Sequence, residues 1–127
     1  MKKLLTLVAF ALLAGCSSVM EYIPSRWDVN QAKVITDIQQ ATRNFDCKGD
    51  IANQSKSLVL QIEWLDIYSH AKPTRDIAKI TGLMNSTVKE LSERSSKGPV
   101  SPIYCDLKKK LMIQQADMIA HTVQGRF

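Results

Sequence analysis

The stretch TRDIAKITGLMNSTVKELSERSSK, residues 74–97, carries the most regular apolar pattern in the chain. Its large aliphatic side chains recur at spacings of 3, 4, 4 and 3, at Ile77, Ile80, Met84, Val88 and Leu91. That spacing puts all five on one face of an α-helix. Basic residues in the last turns, followed by Gly98 and Pro99, are typical of a helix end. The stretch therefore predicts an amphipathic helix that begins at Pro73 or Thr74 and buries one face against other helices.

A first helix is predicted upstream of this stretch, from Asp28 to about Asp46. Asp28 suits the N-cap and stands three residues before Gln31, the spacing of a capping box in which the glutamine reaches back to the cap. The inward stripe, at spacings of 3, 4 and 3, consists of Ile35, Ile38, Thr42 and Phe45. The turn residues 47–50 then end the helix.

The second and fourth predicted helices carry wider apolar faces. The second runs from about Ile51 to His70 behind the cap Asp50, and the fourth begins at Ser101 and Pro102, a serine cap before a proline at the first helical position. On the second helix one line of apolar residues consists of Ile51, Leu58, Ile62 and Leu65, and a second set lies beside it: Leu60, Trp64 and Ile67. On the fourth helix two adjacent stripes are Leu107, Leu111 and Met118, then Met112, Ala116, Ile119 and Val123.

The N-terminus has the composition of a secretory signal. Two lysines precede residues 4–13, in which Thr6 is the only polar residue, and small Ala14 and Gly15 follow. Ten apolar residues are too few to span a bilayer, which needs about 20. The alternative is an uncleaved N-terminal helix that holds the protein at the membrane.

The sequence Leu13-Ala14-Gly15-Cys16 resembles the lipobox of bacterial lipoproteins, a resemblance confined to about the first 18 residues. It implies that the Cys16 thiol is acylated and that Cys16 becomes the first residue. In Gram-negative lipoproteins an aspartate at the next position favours the inner membrane. Ser17 stands there and implies a lipid-anchored protein of the outer membrane with its domain in the periplasm. The expected parts are a cleaved signal (1–15), an acylated tether (16–27) and a helical domain (28–127).

Composition limits the partners of the mature chain. Of 127 residues, removal of 15 leaves 112, enough for one domain. Two of the 17 basic residues lie in the signal, so 15 basic residues face 12 acidic ones. A net charge of +3 and a periplasmic address argue against a nucleic-acid partner.

Helices of this length joined by short turns predict an all-α, antiparallel, up-down-up-down four-helix bundle. In that topology Cys47, after the first helix, and Cys105, in the first turn of the fourth, meet at one end. The apolar periodicity made no use of the cysteines, so their agreement favours both the topology and a disulfide over two buried thiols. The oxidising compartment implied by the lipobox favours the same pairing.

No catalytic, metal or cofactor constellation emerges. His70 and His121 fall near the other end of the bundle with Asp76 as the only nearby acid, which is too few ligands for a metal site. The serines lack histidine and acid partners at a recognisable spacing. The sequence thus predicts a protein that is not an enzyme and binds no metal or cofactor.

Three groups of residues are candidates for partner binding. For the first group, core packing is the preferred interpretation and a groove for a partner is the alternative: Leu83, Met84, Met112 and Met118. For the second group, Trp64 and Tyr68, core packing is again preferred, and the alternative is an exposed aromatic pair that recognises a partner. Lysines at the disulfide end form the third group: Lys48, Lys97, Lys108, Lys109 and Lys110. The lysine run at 108–110 is most simply a solvent-exposed helix face. On the preceding helix, Glu90 and Arg94 are four residues apart and can form an exposed ion pair.

The sequence thus predicts a non-enzymatic envelope lipoprotein that binds a protein or peptidoglycan. The alternative is an exclusion factor or inhibitor of an envelope enzyme, of the kind carried by phages and mobile elements. An envelope enzyme is the least favoured class, because the apolar stripes contain no inward polar groups for a site.

Overall fold

A computed structural model describes residues 28–71 and 74–125 of the chain. These residues form four α-helices and no strand: α1 (Val29–Arg43), α2 (Ile51–Ala71), α3 (Arg75–Lys97) and α4 (Pro102–Gln124). All four predicted helices are present, and the all-α class is confirmed. Helix α1 ends earlier than predicted, because Asn44 caps it and the Phe45 amide already turns back to the Thr42 carbonyl.

The predicted capping residues begin their helices. Asp28 Oδ1 accepts from the Asn30 amide at 2.8 Å, and Ser101 Oγ accepts from the Tyr104 amide at 3.3 Å. The capping box is wrong in one respect, since Gln31 does not reach back to Asp28. Its buried carboxamide instead donates to Thr74 Oγ1 at 3.1 Å and to Ser69 Oγ at 3.5 Å. Gln31 therefore joins three helices at the Asp28 end of the bundle.

Each helix packs against two neighbours, in the order α1, α2, α3, α4 and back to α1. Side-chain pairs across each contact show that neighbours run antiparallel. Between α2 and α3, Lys89 Nζ lies 2.8 Å from Glu63 Oε1. Thr81, which precedes Lys89 on α3, donates to Asp66, which follows Glu63 on α2, so the two chains run in opposite directions. The four helices thus form an up-down-up-down ring in which α2 lies diagonally across from α4.

The core consists of one stripe from each helix. Its fully buried members are Ile35, Ile38, Leu58, Ile62, Leu65, Ile77, Met84, Val88, Leu91, Met112, Ala116, Ile119 and Val123. All of these residues belong to predicted stripes, although two further predicted members, Ile51 and Ile80, are only partly buried, and only one of the two stripes predicted on α4 lies in the core. Burying such side chains is the main favourable contribution to folding.

The predicted disulfide joins Cys47 to Cys105, which lie 58 positions apart in sequence and have Cα atoms 5.8 Å apart. Cys105 is fully buried in the first turn of α4, and Cys47 is half-buried in the loop after α1. Beside the bridge, Lys109 Nζ donates to the Phe45 carbonyl at 2.7 Å. Covalent and polar contacts therefore tie the loop after α1 to α4 at this disulfide end.

Candidate interaction surfaces

Helix α4 presents a second apolar stripe to solvent, here called the α4 ridge: Ile103, Leu107, Leu111 and Met118. Ile103 is 83% exposed, and the ridge extends from residue 103 to residue 118, a rise of about 22 Å along the helix. The stripe beside it, which contains Met112, takes the whole inward face. Because α4 has neighbours on one side only, the ridge is left outside the core.

Leu83 of α3 extends the α4 ridge sideways. Gln115 Nε2 donates to Thr87 Oγ1 at 3.0 Å, which sets α3 and α4 in register. Leu83 lies one turn from Thr87, and Met118 lies about one turn from Gln115 in the same direction along the bundle. The core prediction for the Leu83 and methionine group is therefore half wrong, since Met84 and Met112 are buried while Leu83 and Met118 are exposed.

Helix α2 carries a second outward apolar surface, the α2 face, made of Leu60, Trp64 and Ile67. Trp64 stacks on Tyr68 with ring centroids 4.8 Å apart and planes 10° from parallel. Tyr68 donates to Asp28 Oδ2 at 3.0 Å. Core packing was the preferred interpretation of this pair and is wrong for Trp64, which is 43% exposed, because Leu58, Ile62 and Leu65 fill the inward side of α2.

The lysines predicted at the disulfide end divide into two sets. Lys108 is only 12% exposed and lies 2.6 Å from Glu90 Oε2, while Lys109 binds the Phe45 carbonyl. These two are structural, which corrects their interpretation as a solvated run. The side chains of Lys48, Lys97 and Lys110 are exposed at that end.

Glu90 is the centre of a surface cluster between α3 and α4. It accepts from Lys108 and, at 2.7 Å, from the Tyr104 hydroxyl, and these two hydrogen bonds lower the pKa of its carboxyl below the ordinary value. Arg94 lies over the Tyr104 ring at 4.3 Å, a cation–π contact, so the predicted Glu90–Arg94 ion pair gives way to a four-residue cluster. The pKa shift is explained by these partners and requires no catalytic role.

A shallow depression of about 330 Å³ opens at the disulfide end between the α1–α2 and α3–α4 loops. The residues that line it are mostly glycine or apolar: Gly49, Asp50, Ile51, Ala52, Ser95, Gly98, Pro99 and Val100. Asp50, the one acidic residue in its wall, uses a carboxylate oxygen to accept from the Asn53 amide at 3.0 Å. The depression thus offers few polar side chains for binding a ligand, Asp50 and Ser95 among its lining residues.

The two histidines and the N-terminal anchor were the remaining site predictions. His70 Nδ1 lies 2.8 Å from the carbonyl of Asp66, within its own helix. Over residues 28–71 and 74–125, His, Cys, Asp and Glu form no group of three or more that could hold a metal ion. Cys16 and the tether lie outside the described residues. Among the four helices that the structure describes, none is both long and apolar enough to cross a membrane.

Comparison of the chain with protein-family models, with characterised proteins and with solved structures found no match.

Proposed function

We propose that the chain is an outer-membrane lipoprotein, anchored through acylated Cys16, whose helical bundle works in the periplasm by binding another envelope protein and not by catalysis. The lipobox-like sequence supports the anchor, and several acyl chains on one cysteine would hold the protein stably, since each buried methylene adds about 0.8 kcal/mol. The disulfide between Cys47 and Cys105 fits an oxidising compartment.

The observation that carries the binding role is the stacked aromatic pair on the α2 face. Tryptophan and tyrosine are the side chains most enriched among residues that dominate protein–protein affinity. Trp64 is already ordered by stacking on Tyr68, whose hydroxyl is fixed by Asp28. A partner would therefore pay little ordering entropy at this site. With Leu60 and Ile67 beside the ring, the partner surface that fits is apolar and belongs to a protein.

This position also fits a membrane anchor. The tether of 11 residues from Ser17 to Trp27 reaches at most about 40 Å and joins the bundle at Asp28, which Tyr68 contacts. The aromatic pair would then lie in the membrane-proximal half of the bundle. The disulfide end, with exposed Lys48, Lys97 and Lys110, would point into the periplasm.

The anchor is tested by metabolic labelling with an alkyne fatty acid in a Gram-negative host, followed by membrane fractionation. The wild-type chain should carry the label and sediment with the outer membrane, whereas Cys16→Ser should be unlabelled and retain its signal. An unlabelled wild-type chain would refute lipidation, and a labelled chain in the inner membrane would refute the location.

The partner is tested by photocrosslinking in intact cells, with p-benzoylphenylalanine at Ile67, which is 70% exposed and leaves the aromatic pair intact. The matched control carries the same amino acid at exposed Gln40 on the outer face of α1. We expect a discrete adduct with an envelope protein at position 67, weakened by Trp64→Ala, and none at position 40. A peptidoglycan adduct, or equal adducts at both positions, would contradict the proposal.

A further inference from the structure

The α4 ridge has the size and continuity of an interface. Its four side chains and Leu83 are all exposed and form a patch of roughly several hundred Å², comparable to the largest apolar patch on a typical monomer, which is often functional. The outward polar residues on the α1 side of α4, among them Asp106 and Lys110, give it a polar rim. Removing such a patch from water is favourable, and a partner that covers it would lie along one face of α4 for about four turns.

The spacing within the ridge is that of a helix-pairing seam. From Leu107 through Leu111 and Gln114 to Met118 the intervals are 4, 3 and 4, and every one of these residues is exposed. Alternating intervals of 3 and 4 are the heptad pattern by which one helix packs along another. The face that fits the ridge is therefore another helix with the same pattern.

We propose that this occupant is a second copy of the chain, bound through a two-fold symmetric, parallel α4–α4 contact. A two-fold interface uses the same patch on both chains, so one self-complementary seam is sufficient. In the parallel register each residue meets its counterpart: Leu107, Leu111 and Met118 pair with themselves, and Gln114 pairs with Gln114. The two carboxamides can then satisfy each other's donor and acceptor.

An antiparallel pair fits the same seam less well. With the leucines and methionine of the two seams interdigitated, Leu111 of each chain would face Gln114 of the other, and two carboxamides would be buried against leucines. A buried polar group without a partner is costly, which is how a single polar seam position selects orientation. The parallel choice also brings both Asp28 ends to the same side, as two anchors in one membrane require. That last argument alone rests on the proposed function.

The α2 face remains open in such a dimer, because α2 lies diagonally across the bundle from α4. The pairing therefore does not compete with the proposed envelope partner. One dimer would present two α2 faces, so a partner that is itself a dimer or repeats along the membrane would bind with avidity.

Cysteine crosslinking of the complete chain in intact cells tests the contact. In Gln114→Cys the new thiols should lie near the two-fold axis, within the 4.4–6.8 Å Cα separation that a disulfide requires, and give mostly covalent dimer after mild oxidation. Gln40→Cys, the same change on the polar outer face of α1, should give no covalent dimer. Equal dimer yields from the two variants, or none from Gln114→Cys, would overturn the proposal.

Two further variants test orientation and cause. Leu107→Cys should crosslink on its own if the pair is parallel, whereas crosslinking only between Leu107→Cys and Met118→Cys chains would show an antiparallel pair and refute the proposed register. For the purified full-length protein, Leu107→Glu should halve the sedimentation mass at unchanged helicity, and Gln40→Glu should not change it. A wild-type mass of one chain at micromolar concentration would also refute the dimer.

These outcomes separate from those of the proposed function. Loss of lipidation or of the adduct at position 67 would disprove the anchor or the partner while the Gln114→Cys dimer persisted. Conversely, a monomeric chain that is lipidated and crosslinks through α2 would disprove the dimer alone.

Discussion

Helices α1 and α3 differ from α2 and α4 in what they show to solvent. Apart from Val29 at its first position, the outward positions of α1 are polar: Lys33, Thr36, Asp37, Gln40 and Arg43. The outer face of α3 is similar apart from Leu83. On α2 and α4 the outward positions include seven large apolar side chains, although each of these helices already supplies a complete core stripe. Since these side chains lie outside the core, we expect the second stripes on α2 and α4 to contribute little to folding, which is consistent with the binding roles proposed for them.

The two apolar surfaces also differ from each other. The α2 face is short and centred on an ordered aromatic pair, which suits a compact site on a partner protein. The α4 ridge is aliphatic and extends along most of its helix, which suits pairing with another helix. Because α2 and α4 lie at opposite corners of the ring, both surfaces can be occupied at once.

The largest expected effect comes from the bond that links the two kinds of helix, the disulfide from the loop after α1 to α4. Cys47→Ser opens the loop closed by two cysteines 58 positions apart and should lower the free energy of unfolding by about 4 kcal/mol in the chain-entropy account. The melting temperature of an oxidised sample should fall by about 15 °C or more. Thermal denaturation followed by circular dichroism measures it.

Reduction provides the control for that experiment. With a strong reductant present, wild type should melt close to Cys47→Ser, because neither chain then has the bridge. A wild-type melting curve that is indifferent to reductant, or a variant that matches oxidised wild type, would show that the bridge does not limit unfolding.

The next largest effect compares the two stripes of α2 by replacing a leucine with alanine in each, at positions two residues apart. Leu58→Ala removes a fully buried side chain and should cost about 2–5 kcal/mol, whereas Leu60→Ala removes an exposed one and should change stability by less than about 0.5 kcal/mol. Denaturant titrations of both variants give the two values. Comparable losses would mean that the outer stripe of α2 is part of the folded core and not a free surface.

Periodicity was sufficient to predict the four helices and the apolar stripes on them. A 3–4 spacing is a local property, and the antiparallel count then brings Cys47 and Cys105 together without knowledge of any contact. The same reasoning could not rank two stripes on one helix. Leu107 and Met112 both obey helical spacing, and only the positions of α1 and α3 decide which of them faces inward.

Polar contacts between helices were the other feature that the sequence did not reveal. Nothing near Gln31 indicates that its partners are Ser69 and Thr74, some 40 positions away. Lys109 likewise stands in a run that resembles a solvated face, yet its ammonium group binds the Phe45 carbonyl. Such pairings depend on the rotation of each helix about its axis, so they appear only once the packing is known.

The smallest effect concerns the polar contact between α4 and α1. Asp117 accepts from Gln39 at 2.7 Å and from Arg43 at 2.6 Å, and these hydrogen bonds lower the pKa of its carboxyl below the ordinary value. Between the folded and the unfolded pKa the folded state binds fewer protons, so stability decreases as the pH is lowered through that range. The contribution should be complete above about pH 5 and should disappear progressively below about pH 4.

Asp117→Asn isolates this contribution, because asparagine keeps an oxygen that can accept from Gln39 but does not titrate in this range. The variant should be less stable than wild type at pH 7 by under about 1 kcal/mol, since the pair is nearly half exposed, and the difference should shrink toward pH 3. Salt at 1 M should reduce the difference at pH 7 by screening the Arg43 charge. Parallel stability curves from pH 3 to pH 7 would show that the α1–α4 contact gains nothing from the charge of Asp117, leaving core packing and the disulfide to hold these two helices together.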